Sequence, residues 1–387
     1  MSARRDPRTI AANAGIATDS AFGAVAPPLY LSTTYAFECF ERSRGFDYSR
    51  TANPTRALLA DTLAELEGGA GAVVVSSGMA AVDLVFSQLC PADLVLAPHD
   101  CYGGTHRLLS ARRDGKSYDV MFVDQTKPAE LTAGFTAPPT MVLVETPSNP
   151  LMRVVDIPAI VAQAREVGAK VVVDNTFLSP AGQRPILLGA DYVVHSTTKY
   201  LNGHSDVVGG AVVCASKTDA EALAAWANVI GTTGSAFDSY MTLRGLRTLF
   251  PRIAQQERSA LAVAAFLEGR AEVKAVHYPG LPSHEGHNLA KVQQQGFGGM
   301  LSFELKGGRE AVARFVEALT LFTLAESLGG IESLVAHPSS MTHASMDADA
   351  RRAAGITEGL LRLSIGLEAE ADLIADLESA FEAIGTH

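Results

Sequence analysis

Residues 193–210 read VVHSTTKYLNGHSDVVGG. An apolar pair, Val193 and Val194, runs into the small hydroxyls Ser196, Thr197 and Thr198, and one lysine, Lys199, follows them. The chain then turns polar and glycine-rich before Ala211–Val213 restore the apolar character. A lysine lined by apolar residues and hydroxyls tends to have its pKa lowered, which leaves the amine nucleophilic. A solvent-facing lysine in a loop is the plain alternative, and it is the better one for a lysine taken at random. The surrounding sequence has to decide between them.

Working outward, short β-branched runs recur: AVVV (72–75), DLVLA (93–97), DVMFVD (119–124), TMVLVE (140–145), KVVVD (170–174), DYVV (191–194) and DVVGGAVV (206–213). Runs such as VVV are apolar on both faces, as strands of a covered parallel sheet are. Helical stretches, TRALLADTLAELEG and IPAIVAQAREVG, lie between some of them. This is the pattern of an α/β domain. Residues 1 to about 50 contain APPLYLSTTYAF and FDYSRTANPTR without sustained periodicity, which predicts an extended arm lying on its own body or on a neighbouring subunit. Past about residue 250, GGMLSFEL (298–305) and LLRLSIGLE (360–368) read as half-exposed strands, and ADLIADLESAFEAIG (371–385) as an amphipathic helix. The expected domains are an arm over 1–52, a large domain over 53–248 and a smaller α+β domain over 249–387.

Bulk composition excludes several classes. The 387 residues carry a net charge of −11 with no long basic run, so there is no electrostatic footprint for nucleic acid and little attraction to anionic membranes. No apolar run approaches the ~20 residues that span a bilayer, and the start lacks the apolar core of a secretory signal. The four cysteines, Cys39, Cys90, Cys101 and Cys214, form no CxxC pair, so neither a disulfide framework nor a metal site is expected. A cytoplasmic protein with reduced thiols is the reading. The SHEGH stretch, with His284 and His287, is not HExxH and reads as a loop with two exposed histidines.

Ligands of open parallel sheets gather at the carboxyl ends of the strands. There the chain places Ser76–Met79, His99–Tyr102, Glu145–Asn149, Asp174–Thr176 and His195–Lys199. SSGMAAVDLVF puts hydroxyls and a glycine before a helical pattern, which suits a phosphate and equally a simple helix cap. Asp174 ends three valines, where an unpaired buried charge is costly; a turn residue is the alternative. Pyridoxal 5'-phosphate joins these signals, because its aldehyde takes a lysine, its pyridine nitrogen a carboxylate and its phosphate a helix N-terminus. Tyr102 is placed to stack on the ring, and Ser196 and Thr198 to add hydroxyls to the phosphate.

DYSRTANPTR, SSGMAA, HDCYGGTHRLL, ETPSNPL, VVDNTFLSP, HSTTKYLNGHSDVVGG, LAESLGGIESL and LLRLSIGLE resemble the Cys/Met-metabolism family of pyridoxal-phosphate enzymes, along nearly the whole chain. The resemblance implies fold type I, the aspartate-aminotransferase-like α/β fold, with a mostly parallel sheet in the large domain and the smaller α+β domain at the C-terminus. It implies that Lys199 binds the cofactor aldehyde and shuttles protons, that Asp174 pairs with the pyridine nitrogen and that Tyr102 stacks over the ring. Ser77, Gly78, Met79, Ser196, Thr198 and Thr176 would hold the cofactor, with Tyr48 and Arg50 reaching the phosphate of a neighbouring subunit. Arg362 would grip the substrate α-carboxylate, and Asn149, Ser327, Glu326 and Tyr48 would line the substrate site.

The implied assembly is a homotetramer, a dimer of dimers with shared sites, acting on small amino acids. The implied reaction joins an O-acylhomoserine to cysteine by γ-replacement, giving cystathionine. Lyases of the family share nearly all these residues and break cystathionine instead. Gly104 stands where methionine γ-lyases place a cysteine, against that activity. Arg107 offers a partner for a distal succinyl carboxylate, or is merely a helix-face arginine; Thr51 departs from an arginine associated with some succinyl-using synthases, so the acyl group stays open. Rivals from other classes fare worse. A nicotinamide oxidoreductase would need a glycine fingerprint after an early strand, and GFGGM (296–300) precedes a strand. A non-catalytic α/β binding protein would leave the convergence of Lys199, Asp174 and SSGM unexplained.

Overall fold

Asn53 opens the first long helix by accepting hydrogen bonds from the backbone N–H of Thr55 and Arg56. Pro54 sits at the first helical position, where its missing N–H costs nothing, and Gly68 ends the helix in the left-handed region (φ +85°). The computed structural model describes residues 5–385 apart from Ser345 and Asp347; the first four residues of the expected arm and the last two residues lie outside the described residues. The described chain falls into two compact units, one made of residues up to Gln88 together with Arg184–Phe250, the other of Leu89–Gln183 together with residues from Pro251 onward.

In chain order the first unit begins with α1 (Pro7–Ala12), α2 (Pro54–Glu67), β1 (Gly71–Val75) and α3 (Gly78–Phe86). The second unit then supplies β2 (Leu94–Pro98), α4 (Gly103–Asp114), β3 (Asp119–Val123), α5 (Pro128–Gly134), β4 (Met141–Glu145), α6 (Ile157–Glu166), β5 (Lys170–Asp174) and α7 (Ser179–Gly182). The first unit resumes with a 3-10 turn (Pro185–Leu188), β6 (Tyr192–Ser196), β7 (Gly210–Cys214), α8 (Lys217–Ile230) and α9 (Ala236–Leu246). After α10 (Leu249–Glu268), the chain ends through β8 (Val273–His277), α11 (His287–Gln293), β9 (Met300–Leu305), α12 (Gly308–Ala318), β10 (Thr323–Leu324), β11 (Leu334–Ala336), α13 (Ala348–Ala353), β12 (Leu360–Ser364) and α14 (Glu370–Gly385).

Within the second unit β5, β4, β2 and β3 lie side by side, all parallel. Every residue of β4 is buried, as are Val171, Val172 and Val173 of β5, the both-faces burial that their sequences announce. In the first unit β7 lies between β1 and β6 and runs antiparallel to both, an exception that a mostly parallel sheet allows. An apolar run signals two covered faces and carries no direction. The stretch expected as a strand from Asp206 is one only from Gly210, because Gly209 instead exchanges hydrogen bonds with the Thr198 hydroxyl. The arm is less uniform than expected, with the short helix α1 and isolated bridges between Thr34 and Tyr48 and between Cys39 and Arg42.

The second unit's other sheet has the order β10-β11-β12-β9-β8. Leu301, Phe303, Leu305, Leu361 and Leu363 meet Phe315 of α12 and Leu377 and Phe381 of α14 in one apolar cluster. Phe315 stands edge-on to Phe303 at 5.6 Å and to Phe381 at 4.9 Å between centroids, spacings at which aromatic edges and faces attract. The opposite face, expected to meet solvent, is largely covered. Ser302 donates to the Pro150 carbonyl at 2.7 Å, Arg362 bonds Asn149, and Ser364 accepts from Gly329 N–H. The polar alternation is real, but its polar side faces a loop. His284 and His287 are likewise half-buried rather than exposed, His287 stacking on Phe297.

Candidate active site

Strand β6 delivers Ser196 at its end, and the chain turns at once: Lys199 N–H donates to Ser196 O at 3.3 Å and Gly203 N–H to Lys199 O at 2.7 Å. Lys199 is half-buried on this turn. Helix α3 starts beside it. Ser77 caps the helix, its hydroxyl accepting from Ala80 N–H at 3.1 Å, and the first N–H groups after the cap have no partner within the helix. A β-carbon on Gly78 would stand 2.7 Å from Ser196 Cβ, and one on Gly210 would stand 2.0 Å from Ser77 O. Two glycines thus let the start of α3, Ser196 and β7 close into a seat of backbone N–H and hydroxyl groups. The cap reading of SSGM is met by Ser77, and the capped helix start leaves the backbone N–H groups that the phosphate reading calls for. Thr198 borders the seat with its hydroxyl proton on the Gly209 carbonyl.

Beneath the turn, His195 Nε2 lies 2.8 Å from Glu67 Oε1, with both side chains fully buried. Tyr48 and Arg50 are exposed on the arm, the guanidinium lying 5.7 Å from the Tyr48 ring centroid. Arg50 Nη1 also donates to the backbone and side-chain oxygens of Asn228 on α8, at 2.7 and 2.9 Å.

The second unit carries the carboxylates. Glu145 and Asp174 end the neighbouring strands β4 and β5 in direct register. Asp174 Oδ1 accepts from Thr176 N–H at 3.0 Å, the turn contact that the sequence allowed. Glu145, which the sequence reading left out of the site, is buried and accepts from Tyr102 N–H at 2.8 Å and Asn149 N–H at 3.0 Å. Its carboxyl is pushed well up, first by burial and then by the charge of Asp174. Its signal was present, since TMVLVE ends in an acid as KVVVD does. Tyr102, 41% exposed, opens helix α4. The adjoining Cys101 thiol is pushed up by burial and by Glu145 and Asp100, which leaves it unreactive.

Arg362 projects from β12 almost wholly buried. Its Nη1 donates to Asn149 Oδ1 at 3.0 Å and its Nη2 to Ser327 O at 2.8 Å. Ser327 adopts φ +83°, a conformation that non-glycine residues rarely take and that functional sites tolerate. Asn149, Ser327 and Arg362 therefore come together as expected; Glu326 and, on α4, Arg107 are exposed. Also missed was the support of the Asn149 loop: Asp100 accepts from Ser148 Oγ at 2.8 Å and from Arg153 Nη1 at 2.7 Å, and Arg153 reaches the Ala354 carbonyl.

A seat of N–H and hydroxyl groups closed by glycines, with a lysine on the adjoining turn, suits a phosphate-bearing aldehyde, and a buried fork of guanidinium donors suits an amino-acid carboxylate. The chain belongs to the Cys/Met metabolism PLP-dependent enzymes, whose family profile matches residues 8–382. Pyridoxal phosphate is its cofactor and fold type I its architecture. Among its relatives, the cystathionine gamma-synthase of Escherichia coli K12 is 55% identical over 98% of both chains. The cystathionine beta-lyase of Coxiella burnetii is 46% identical over 97% of both. The crystal structure of cystathionine gamma synthase from Xanthomonas oryzae in complex with cystathionine superposes with a TM-score of 0.98, at 52% identity and 99% coverage of both chains.

Proposed function

We propose that this chain carries out γ-replacement, joining an O-succinyl- or O-acetyl-L-homoserine to L-cysteine to give L-cystathionine and the free acid, as a step toward methionine. The observation that carries amino-acid recognition is Arg362, a buried guanidinium fixed between Asn149 Oδ1 and Ser327 O. The likeness to the gamma-synthases over nearly the whole length supports that branch of the family. Cystathionine γ-lyase action is the second reading, favoured by the named residues being common to both branches.

When bound, pyridoxal phosphate supplies an electron sink for charge developing at the substrate α-carbon. Lys199 Nζ would hold the cofactor aldehyde and, once freed by the incoming amino group, would serve as the base for the α-proton and then the carrier of the β-proton, both within reach of one flexible amine. Asp174 would pair with the pyridine nitrogen and Tyr102 would stack over the ring; Gly78 and Met79 N–H groups and the Ser196 and Thr198 hydroxyls would hold the phosphate, with Ser77 and Thr176 also binding the cofactor. Arg362, with Asn149 and Ser327, orients the α-carboxylate; Glu326 and Tyr48 line the substrate, and Arg107 would meet the distal carboxylate where the ester is a succinyl one. Tyr48 and Arg50 belong to an arm (1–52) that completes a neighbouring subunit's site in a cytoplasmic homotetramer, with the large domain at 53–248 and the small one at 249–387. The exposed Phe22, Leu31 and Phe40 of the arm support an interface there.

The test is a paired assay of purified protein: O-succinylhomoserine with cysteine, scored for cystathionine, against cystathionine alone, scored for cysteine, 2-oxobutanoate and ammonia. Dominance of the first supports the synthase reading. Dominance of the second replaces it with the lyase.

A further inference from the structure

Asn149 is held at more points than its contact with Arg362 requires. Its backbone N–H is spent on Glu145 Oε1 at 3.0 Å, and the next carbonyl, of Pro150, accepts from Ser302 Oγ at 2.7 Å. Between them the Asn149 carbonyl lies 3.1 Å from Nε2 of His343, a fully buried residue of the segment between β11 and α13. The other ring nitrogen, Nδ1, lies 2.9 Å from the Thr342 hydroxyl.

These contacts fix the tautomer. A carbonyl can only accept, so Nε2 carries the proton; Nδ1 of the neutral ring then accepts from the Thr342 hydroxyl. Burial, and after it the positive charge of Arg362, push the His343 pKa down to about 4, so the ring stays neutral under working conditions. A charged ring would set a second cation beside the guanidinium. A neutral one leaves Arg362 as the cation that an incoming carboxylate meets at this grip.

We propose that His343 is a positioning residue for amino-acid recognition: by donating Nε2–H to the Asn149 carbonyl it holds the Asn149 side chain where it orients Arg362 toward a substrate carboxylate. This rests on the reading of Arg362 as the carboxylate grip. It assigns part of substrate recognition to the segment between β11 and α13.

The test compares glycine with glycinamide, an amino acid and its carboxylate-free analogue, binding to the holoenzyme as followed by cofactor absorbance, together with thermal unfolding of the apoenzyme. His343→Ala is expected to weaken glycine about tenfold while glycinamide changes less than about twofold, the signature of a lost carboxylate contact rather than a damaged fold. His343→Gln, which returns an N–H donor near the Nε2 position, restores the preference. Unchanged preference in His343→Ala, or equal weakening of both ligands, overturns the proposal. Arg362→Lys separates the two claims: if it keeps the full preference for glycine, the reading of Arg362 fails, whereas loss there with none in His343→Ala refutes His343 alone. Should His343→Ala not fold, His343→Leu carries the test, since it fills most of the ring's volume and has no N–H for the Asn149 carbonyl; unchanged glycine preference there also overturns the proposal.

Discussion

Gly210→Ala probes the seat at the start of α3 with a single carbon. The added Cβ would stand 2.0 Å from Ser77 O, 2.4 Å from Ser77 C and 2.8 Å from Gly78 N, all backbone atoms. Carbon–oxygen contacts settle near 3.3 Å, so strand and helix start must part by about 1 Å or more. Neither side yields easily, because Gly210 is paired with Val75 and with Ser196 and Ser77 caps α3. Overpacking of this kind costs about 1–3 kcal/mol. A charge-assisted hydrogen bond contributes about 1.5–3 kcal/mol, so displacing one N–H from the phosphate raises the dissociation constant for pyridoxal phosphate about 10- to 100-fold. The assay titrates apoenzyme with pyridoxal phosphate by absorbance and records the apoenzyme Tm. Gly269→Ala, whose nearest atom would be Phe266 O at 3.5 Å, serves as the control with no change expected. Wild-type cofactor affinity and Tm in Gly210→Ala would refute the reasoning.

Three further outcomes are expected. Asp376 is pushed up by burial, but the Thr320 hydroxyl and the N–H groups of Phe322, Thr320 and Leu321 outweigh this and hold its carboxyl low. The stabilisation is therefore present above about pH 4 and fades as pH falls through the lower folded-state value. Asp376→Asn should cost about 1–3 kcal/mol at neutral pH and flatten the acid limb of stability; urea melts across pH 3–7 check both, and an unchanged acid limb counts against the assignment. Phe315→Ala, at the centre of the aromatic cluster, should lower stability by about 3–5 kcal/mol in the same melts. Lys199→Ala should abolish turnover with the fold intact, and remixing its subunits with those of Arg50→Ala should regain about a quarter of wild-type sites if each site is shared by two chains; no recovery in verified mixed oligomers argues against sharing.

The sequence carried most of the local structure because local rules wrote it: Asn53-Pro54 starts α2, Ser77 caps α3, and the apolar runs became strands. It carried the candidate residues that sit at strand ends, Asp174 and Ser196 among them. It did not carry direction, so nothing in the sequence picked out β7 as the strand that runs antiparallel to both neighbours. It also misled where polar alternation faces protein rather than water, as at Ser302 and Arg362. His343 was missed because it meets the backbone of Asn149 from 194 residues away, a contact that no spacing records; Glu145, four residues before Asn149, ends its strand as Asp174 does, and that signal went unused.

The place of β7 beside β1 bears on synthesis. β1 ends at Val75, while the strand that supplies its backbone partners begins at Gly210, so β1 must wait for about 140 more residues, roughly 7 to 28 s of translation. Through that interval a strand of valines stands with both edges open, where the finished sheet leaves one, and an open edge is a template for pairing with another chain. The newborn protein is therefore most exposed to aggregation midway through its own translation, and slower elongation between residues 76 and 210 should lower the yield of soluble protein even though every contact in the finished fold is unchanged.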